Sequence, residues 1–166
     1  MQWFALYVKS RHEFVTNDEL RKKQINTFLP SFKNWRQWKD RRKLIDFPMF
    51  PGYLFVNIHS HSDGYINVLK TRGAVKFVSL YSGYPTPVNP DEIDSLKMLI
   101  HSGKELDIYP HLKEGTRIRV RRGPLRGAEG ILIKKEKEEE MKFLVNIEIL
   151  GRCVGLKIYA DEIEDA

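Results

Sequence analysis

Cysteine occurs once in 166 residues, at Cys153, which excludes an internal disulfide framework and a multi-cysteine zinc module and fits a reducing compartment. Long apolar runs are missing too. Near the start the longest covers residues 3–8 and is followed by Lys9, Arg11 and His12, too short for a signal-peptide core or a membrane span. A cytoplasmic chain with no membrane partner is therefore expected. With only 11 Gly and 8 Pro beside 42% apolar and 30% charged residues, a disordered or fibrous chain is excluded as well.

Catalytic signatures are also absent. There is no Gly-x4-Gly-Lys-Ser/Thr phosphate loop, no Gly-x-Ser-x-Gly elbow and no His-Glu-x-x-His helix. Cys153 has Arg152 beside it but no histidine close in sequence, which favours an inert thiol. His59, His61 and Asp63 have the period of one strand face and could ligate a metal, but they fall where a strand gives way to a Ser-rich loop, so solvated loop residues are the stronger reading. The expectation is a binding protein without catalytic residues, metal or cofactor.

What the chain does have is unevenly placed charge. Residues 1–103 hold 15 Lys and Arg against 9 Asp and Glu, and residues 104–166 hold 13 against 13, so the whole formal excess of +6 lies in the first part. A basic surface there attracts a polyanion or an acidic protein, or simply keeps the chain soluble.

The punctuation predicts two domains. Residues 3–8 read as a buried strand. Ser10-Arg11-His12-Glu13 reads as a capping box opening a helix to about Lys23, and Asn89-Pro90-Asp91-Glu92 announces a second, with Ile93, Leu96 and Ile100 on one face and Gly103 at its end. Between them lie strands at residues 53–58 and 75–80, a short helical segment at 65–70 and a Ser82-Gly83 turn. This order predicts an α+β sandwich, helices on a mainly antiparallel sheet, over residues 1–103. Residues 104–113 lack periodicity, contain Pro110 and read as a linker. From residue 114 to 166 the period becomes two: Ile118 and Val120, Ile131 and Ile133, Val145 and Ile147, Leu156 and Ile158 alternate with polar residues between glycine turns, which predicts a small closed barrel. The Lys and Glu run at 134–142 reads as a solvated hairpin tip.

Three segments carry binding signals. Lys33, Arg36, Lys39, Arg41, Arg42 and Lys43 face one acid, Asp40, and are interleaved with Trp35 and Trp38. Such a stretch tracks phosphates while its indoles stack on bases or dock a partner, or it is a strand-turn-strand excursion with its tryptophans folded inward. Phe47-Pro48-Met49-Phe50-Pro51-Gly52-Tyr53-Leu54-Phe55-Val56 holds more large apolar groups than one sheet face needs, so some of Phe50, Tyr53 and Phe55 are candidates for an exposed partner patch. In Gly123-Pro124-Leu125-Arg126-Gly127 the glycines and proline set a tight turn, and Leu125 at its tip is a candidate partner contact unless it packs on its own barrel.

Phe50 to Val56, preceded by Trp3-Phe4-Ala5-Leu6-Tyr7 and Phe28-Leu29-Pro30, resembles the N-terminal domain of the NusG family of transcription elongation factors. Residues 115–125, with Gly127, Gly130 and Leu150-Gly151-Arg152, resemble that family's KOW domain, an SH3-like β-barrel. Thr71-Arg72-Gly73-Ala74-Val75 and the helix entry after Pro87 fit the same template. The resemblance implies a monomer whose first domain binds the clamp helices of RNA polymerase, bridges the cleft over DNA and suppresses pausing or termination. It implies an apolar seat from Phe50, Pro51, Tyr53, Ile93 and Leu96. Lys9, Lys22, Lys23 and Arg72 would lie near the non-template strand or upstream DNA, and a KOW loop of Gly123, Pro124, Leu125 and Arg126 would meet a ribosomal protein or Rho. Arg36-Gln37-Trp38-Lys39-Asp40-Arg41 resembles specialised paralogues that antiterminate polysaccharide-biosynthesis operons more than the general factor. Gly64-Tyr65-Ile66 stands where one such paralogue has a His-Thr-Thr loop, which leaves contact with the second polymerase jaw without support. A KOW motif alone would also suit a ribosome-associated RNA-binding protein, which predicts RNA binding by residues 104–166, although that segment is formally neutral.

Overall fold

The computed structural model describes residues 1–81, 83–110, 115–134 and 140–159. Ser82 of the expected turn, the end of the expected linker and the centre of the Lys and Glu run lie outside the described residues. The chain forms two compact units, Met1–Pro87 and Val88–Ala166.

The first unit runs β1 (Gln2–Val8), α1 (Glu13–Lys22), β2 (Asn26–Phe28), β3 (Ser31–Gln37), β4 (Arg42–Pro48), β5 (Tyr53–Ile58), α2 (Ser62–Leu69) and β6 (Ala74–Phe77). Its antiparallel sheet has the order β2-β5-β1-β6, and the two-residue β7 (Pro87–Val88) pairs with β1. β1 is central and buried on both faces, which explains its unbroken apolar sequence. Phe4, Leu6 and Val8 join Leu20, Leu54, Val56, Val68 and Phe77 in one core cluster. On the other side of the sheet Phe55 stacks on Phe28 and meets Phe50 edge to face. β3 and β4 leave the sheet as a separate two-stranded ribbon.

The capping box expected at α1 does not form. His12 occupies the cap position with no side-chain cap bond, and the buried Glu13 instead accepts the Gly52 N–H at 2.8 Å. A long-range buried donor outcompetes a local one that water can satisfy. Glu13→Ala orphans that N–H and is expected to lower stability by about 2 kcal/mol, whereas Glu13→Gln keeps an acceptor and loses less than half as much. Urea unfolding followed by tryptophan fluorescence checks this, because all three tryptophans lie in the first unit.

The second unit opens with α3 (Pro90–His101), capped by Asn89, whose side chain accepts from Asp91 N–H at 2.9 Å. It continues through β8 (Asp107–Pro110), β9 (Thr116–Arg119), β10 (Glu129–Lys134), β11 (Glu140–Ile147) and β12 (Arg152–Tyr159), a five-stranded antiparallel sheet of order β8-β12-β11-β10-β9. The fold is thus α+β followed by a KOW-like β domain. Two boundaries differ from the sequence-based expectation. α3 buries Ile93, Leu96 and Leu99 and lies against β10, β11 and β12, so it belongs to the second compact unit rather than to the first. Residues 107–110, read as linker, form the edge strand β8 on β12; proline is tolerated there because an edge strand has one ladder to satisfy. With the division at Pro87, the first unit holds 14 Lys and Arg against 6 acids and the second 14 against 16. The charge contrast is sharper than the sequence division suggested.

Candidate functional site

The apolar-seat residues fall in both units. In the first, the β1/β5 register puts Tyr7 opposite Tyr53, with ring centroids 5.4 Å apart. These two rings line a groove of about 570 Å³ with Lys76, Phe77, Val78 and Ser79. Pro51 is exposed beside it, and Phe50 is buried under the loop. Glu13 anchors this loop through Gly52, which takes a φ of +86° between Pro51 and Tyr53. Ile93 and Leu96 lie in the second unit and are fully buried on α3. Tyr7 was not singled out in the sequence, because the unbroken apolar run of β1 has no alternation to mark it as exposed.

The basic residues converge at one end of the first sheet. Lys9 N–H donates to Gly73 O at 2.9 Å, Thr16 Oγ1 donates to Arg72 O at 3.0 Å, and Lys23 Nζ donates to Thr71 Oγ1 at 2.9 Å and Asn67 O at 3.0 Å. The end of β1, α1 and the turn before β6 therefore bring Lys9, Lys23 and Arg72 together. Lys22 Nζ pairs with Glu19 Oε1 at 2.7 Å; that bond holds the Glu19 carboxyl below its usual value and raises Lys22. Its cation is partly neutralised, so Lys9 and Arg72 are the freer members of the set.

The loop between β9 and β10 turns back on itself through Arg126 N–H to Gly123 O at 3.1 Å, Gly127 N–H to Val120 O at 2.8 Å and Ala128 N–H to Leu125 O at 2.9 Å. These bonds carry Leu125 inward, where it is buried and lines a recess of about 200 Å³ with Val120 and Ile158. The reading of Leu125 as an exposed tip is corrected: it packs on its own sheet. Gly123, Pro124 and Arg126 stay exposed.

Where α3 meets β9 and β10, a cavity of about 300 Å³ is lined by Glu92, Arg117, Arg119, Glu129 and Glu148 among others. Arg119 pairs with Glu129. Burial pushes the Glu92 carboxyl up to about 7 and the Glu148 charge adds to the rise, against the Glu148 N–H that donates to it at 3.3 Å and the nearby Arg117. A carboxyl raised in the folded state binds more protons there than in the unfolded chain. Stability of the second unit therefore falls as pH rises from about 4.5 to about 7 and levels off above. Glu92→Gln is expected to flatten this slope and, after solvent screening of a partly exposed group, to add about 1–2 kcal/mol at pH 8. Hydrogen exchange of β11 and β12 amides at pH 5 and pH 8 reads it; an unchanged slope in the variant contradicts the assignment.

Among the described residues no three metal-ligating side chains come together, and the His59 and His61 rings stack 5.7 Å apart. No helix among them is long and apolar enough to cross a membrane. The first unit is thus α+β with a basic sheet end and an aromatic groove, and the second is a KOW-like β unit. The family model described as transcription termination factor NusG matches residues 1–97, and the chain belongs to the NusG family. Relatives include the transcription termination/antitermination protein NusG of Borreliella burgdorferi, 28% identical over 75% of this chain and 71% of that one. The protein of the same description from Halalkalibacterium halodurans is 25% identical over 98% of this chain and 97% of that one. A solved structure titled "Domain interaction in Thermotoga maritima NusG" is similar at a TM-score of 0.55 and 22% identity, covering 98% of this chain and 96% of that one. Its fold is the fold described above.

Proposed function

We propose that this chain binds RNA polymerase during elongation, seats the clamp helices on its first unit, bridges the cleft over DNA and suppresses pausing or termination. The observation that carries the reading is the groove of Tyr7, Tyr53, Phe77 and Lys76 beside exposed Pro51. A helix docks in such a groove through apolar anchors, with a cation at its edge for an acidic flank. Phe50 supports the groove from beneath; Ile93 and Leu96 lie in the second unit, buried on α3, and take no part in this groove. Lys9, Lys23 and Arg72, with Lys22 behind its ion pair, face the non-template strand or upstream duplex and make salt-dependent contacts. Gly123, Pro124 and Arg126 present the second unit to a ribosomal protein or Rho.

The specialised reading, antitermination of polysaccharide operons, rests on the Trp35 to Lys43 segment. Tyr65, at the place of the His-Thr-Thr loop, packs on Phe4 and Phe77 and leaves only Ile66 outward. A ribosomal RNA-binding role has less support, since residues 88–166 carry 14 cations against 16 acids. Full-length protein added at saturation to core polymerase is expected to shorten pauses and raise readthrough at Rho-dependent sites. Unchanged pause lifetimes and readthrough overturn the proposal.

A further inference from the structure

The ribbon formed by β3 and β4 takes part in neither the aromatic groove nor the basic sheet end. It pairs from Ser31↔Pro48 to Gln37↔Arg42 and closes with Trp38 N–H donating to Arg41 O at 2.8 Å. Phe32 and Phe47 stack at its base, 6.1 Å apart, and beyond them the indoles are not folded inward: Trp35 is 63% and Trp38 53% exposed. Cross-strand partners share a face and successive residues alternate. One face therefore shows Trp35 and Leu44 flanked by the pairs Lys33 with Asp46 and Gln37 with Arg42, the other shows Arg36 and Lys43 beside Asn34 and Ile45, and the tip holds Trp38, Lys39, Asp40 and Arg41.

These cations are unspent. Among the described residues none of the six makes an ion pair, and the one side-chain hydrogen bond among them runs from Arg42 Nε to Gln37 Oε1 at 3.2 Å. The uncharged polar groups are committed locally: Asn34 Oδ1 accepts from Trp35 N–H and Gln37 Nε2 donates to Trp38 O. A protein-docking patch or a membrane anchor gathers apolar groups on one face. Here each indole stands apart from the other among cations, on a ribbon charged on both sides.

The geometry points to a binding element for single-stranded nucleic acid: the indoles stack on unpaired bases, and the flanking Lys and Arg side chains follow the phosphates. Stacking and phosphate contacts do not depend on a ribose hydroxyl, so DNA and RNA strands bind alike. This site is separate from the sheet-end residues and needs no polymerase.

Fluorescence anisotropy of the full chain with labelled oligo(dT) and oligo(U) of about 12 nucleotides tests it. Both should bind within about 3-fold of each other and more tightly than a duplex of equal length. Trp35→Ala with Trp38→Ala should weaken both by about 30-fold or more without a change in melting temperature, because the side chains removed are exposed. Arg36→Ala with Lys43→Ala should reduce the slope of log affinity on log salt by about 1.4. The inference fails if the double tryptophan variant binds as the wild type does, if duplex or one sugar type is preferred by about 10-fold or more, or if polyglutamate or anionic vesicles compete as well as unlabelled oligonucleotide. None of these failures touches polymerase binding through the Tyr53 groove.

Discussion

Tyr53→Ala is expected to weaken binding to core RNA polymerase by about 10- to 30-fold, equivalent to about 1.4–2 kcal/mol, while leaving the fold intact. Tyr53 is half-buried; its ring leans on Tyr7 rather than entering the cluster of Phe4, Leu6 and Leu54. Truncation removes an anchor that brings large area at low rotamer cost and leaves Tyr7 without its ring partner. Tyr53→Phe keeps the ring and should retain most of the affinity. An immobilised-polymerase assay with melting temperatures measured in parallel separates lost contact from lost fold. Wild-type affinity in the alanine variant would remove the groove from the interface.

Gly73→Ala is expected to cost the first unit about 3 kcal/mol. Gly73 has a φ of +88°, a region L side chains rarely adopt, and a Cβ there would overlap Thr16 Oγ1 and press on His12. Both effects destabilise, the dihedral by about 1 kcal/mol and the overpacking by about 1–3 kcal/mol. Thr16 cannot simply turn aside, because its hydroxyl holds Arg72 O. The Thr16→Ala background removes the overlapping atom, so the double variant should be more stable than the sum of the singles predicts, with a coupling of about 1 kcal/mol. Strict additivity in urea unfolding contradicts this account. The substitution should also displace Arg72 and the Lys9 contact with Gly73 O, so the salt-dependent DNA contacts proposed for these residues should weaken with it.

The strands were legible because period-two patterning survives wherever one face meets a core, as at Ile131, Ile133, Val145 and Ile147. The helices were legible from their apolar spacing, and Asn89 capped α3 as its type and position predicted. Both glutamates at capping-box positions went elsewhere. Glu13 holds Gly52 N–H and Glu92 receives Glu148 N–H, acceptors claimed by donors 39 and 56 residues distant that no local reading can see. The same blindness hid the home of α3: Ile93 and Leu96 declare a buried face but not which sheet buries it. β8 was missed because an edge strand containing Pro110 has no pattern apart from its partner β12. At the Trp35 and Trp38 ribbon, composition left solvated charge and ligand binding in balance. Exposure of the indoles, a tertiary fact, removes the reading in which the tryptophans fold inward.

Retention of the full-length chain on immobilised core polymerase, with a defined dissociation constant and competition by the Tyr53→Ala variant, tests the central claim most directly. The account predicts saturable wild-type retention that the variant competes for at least about 10-fold less well. Wild-type protein that passes through unretained at micromolar concentration contradicts it.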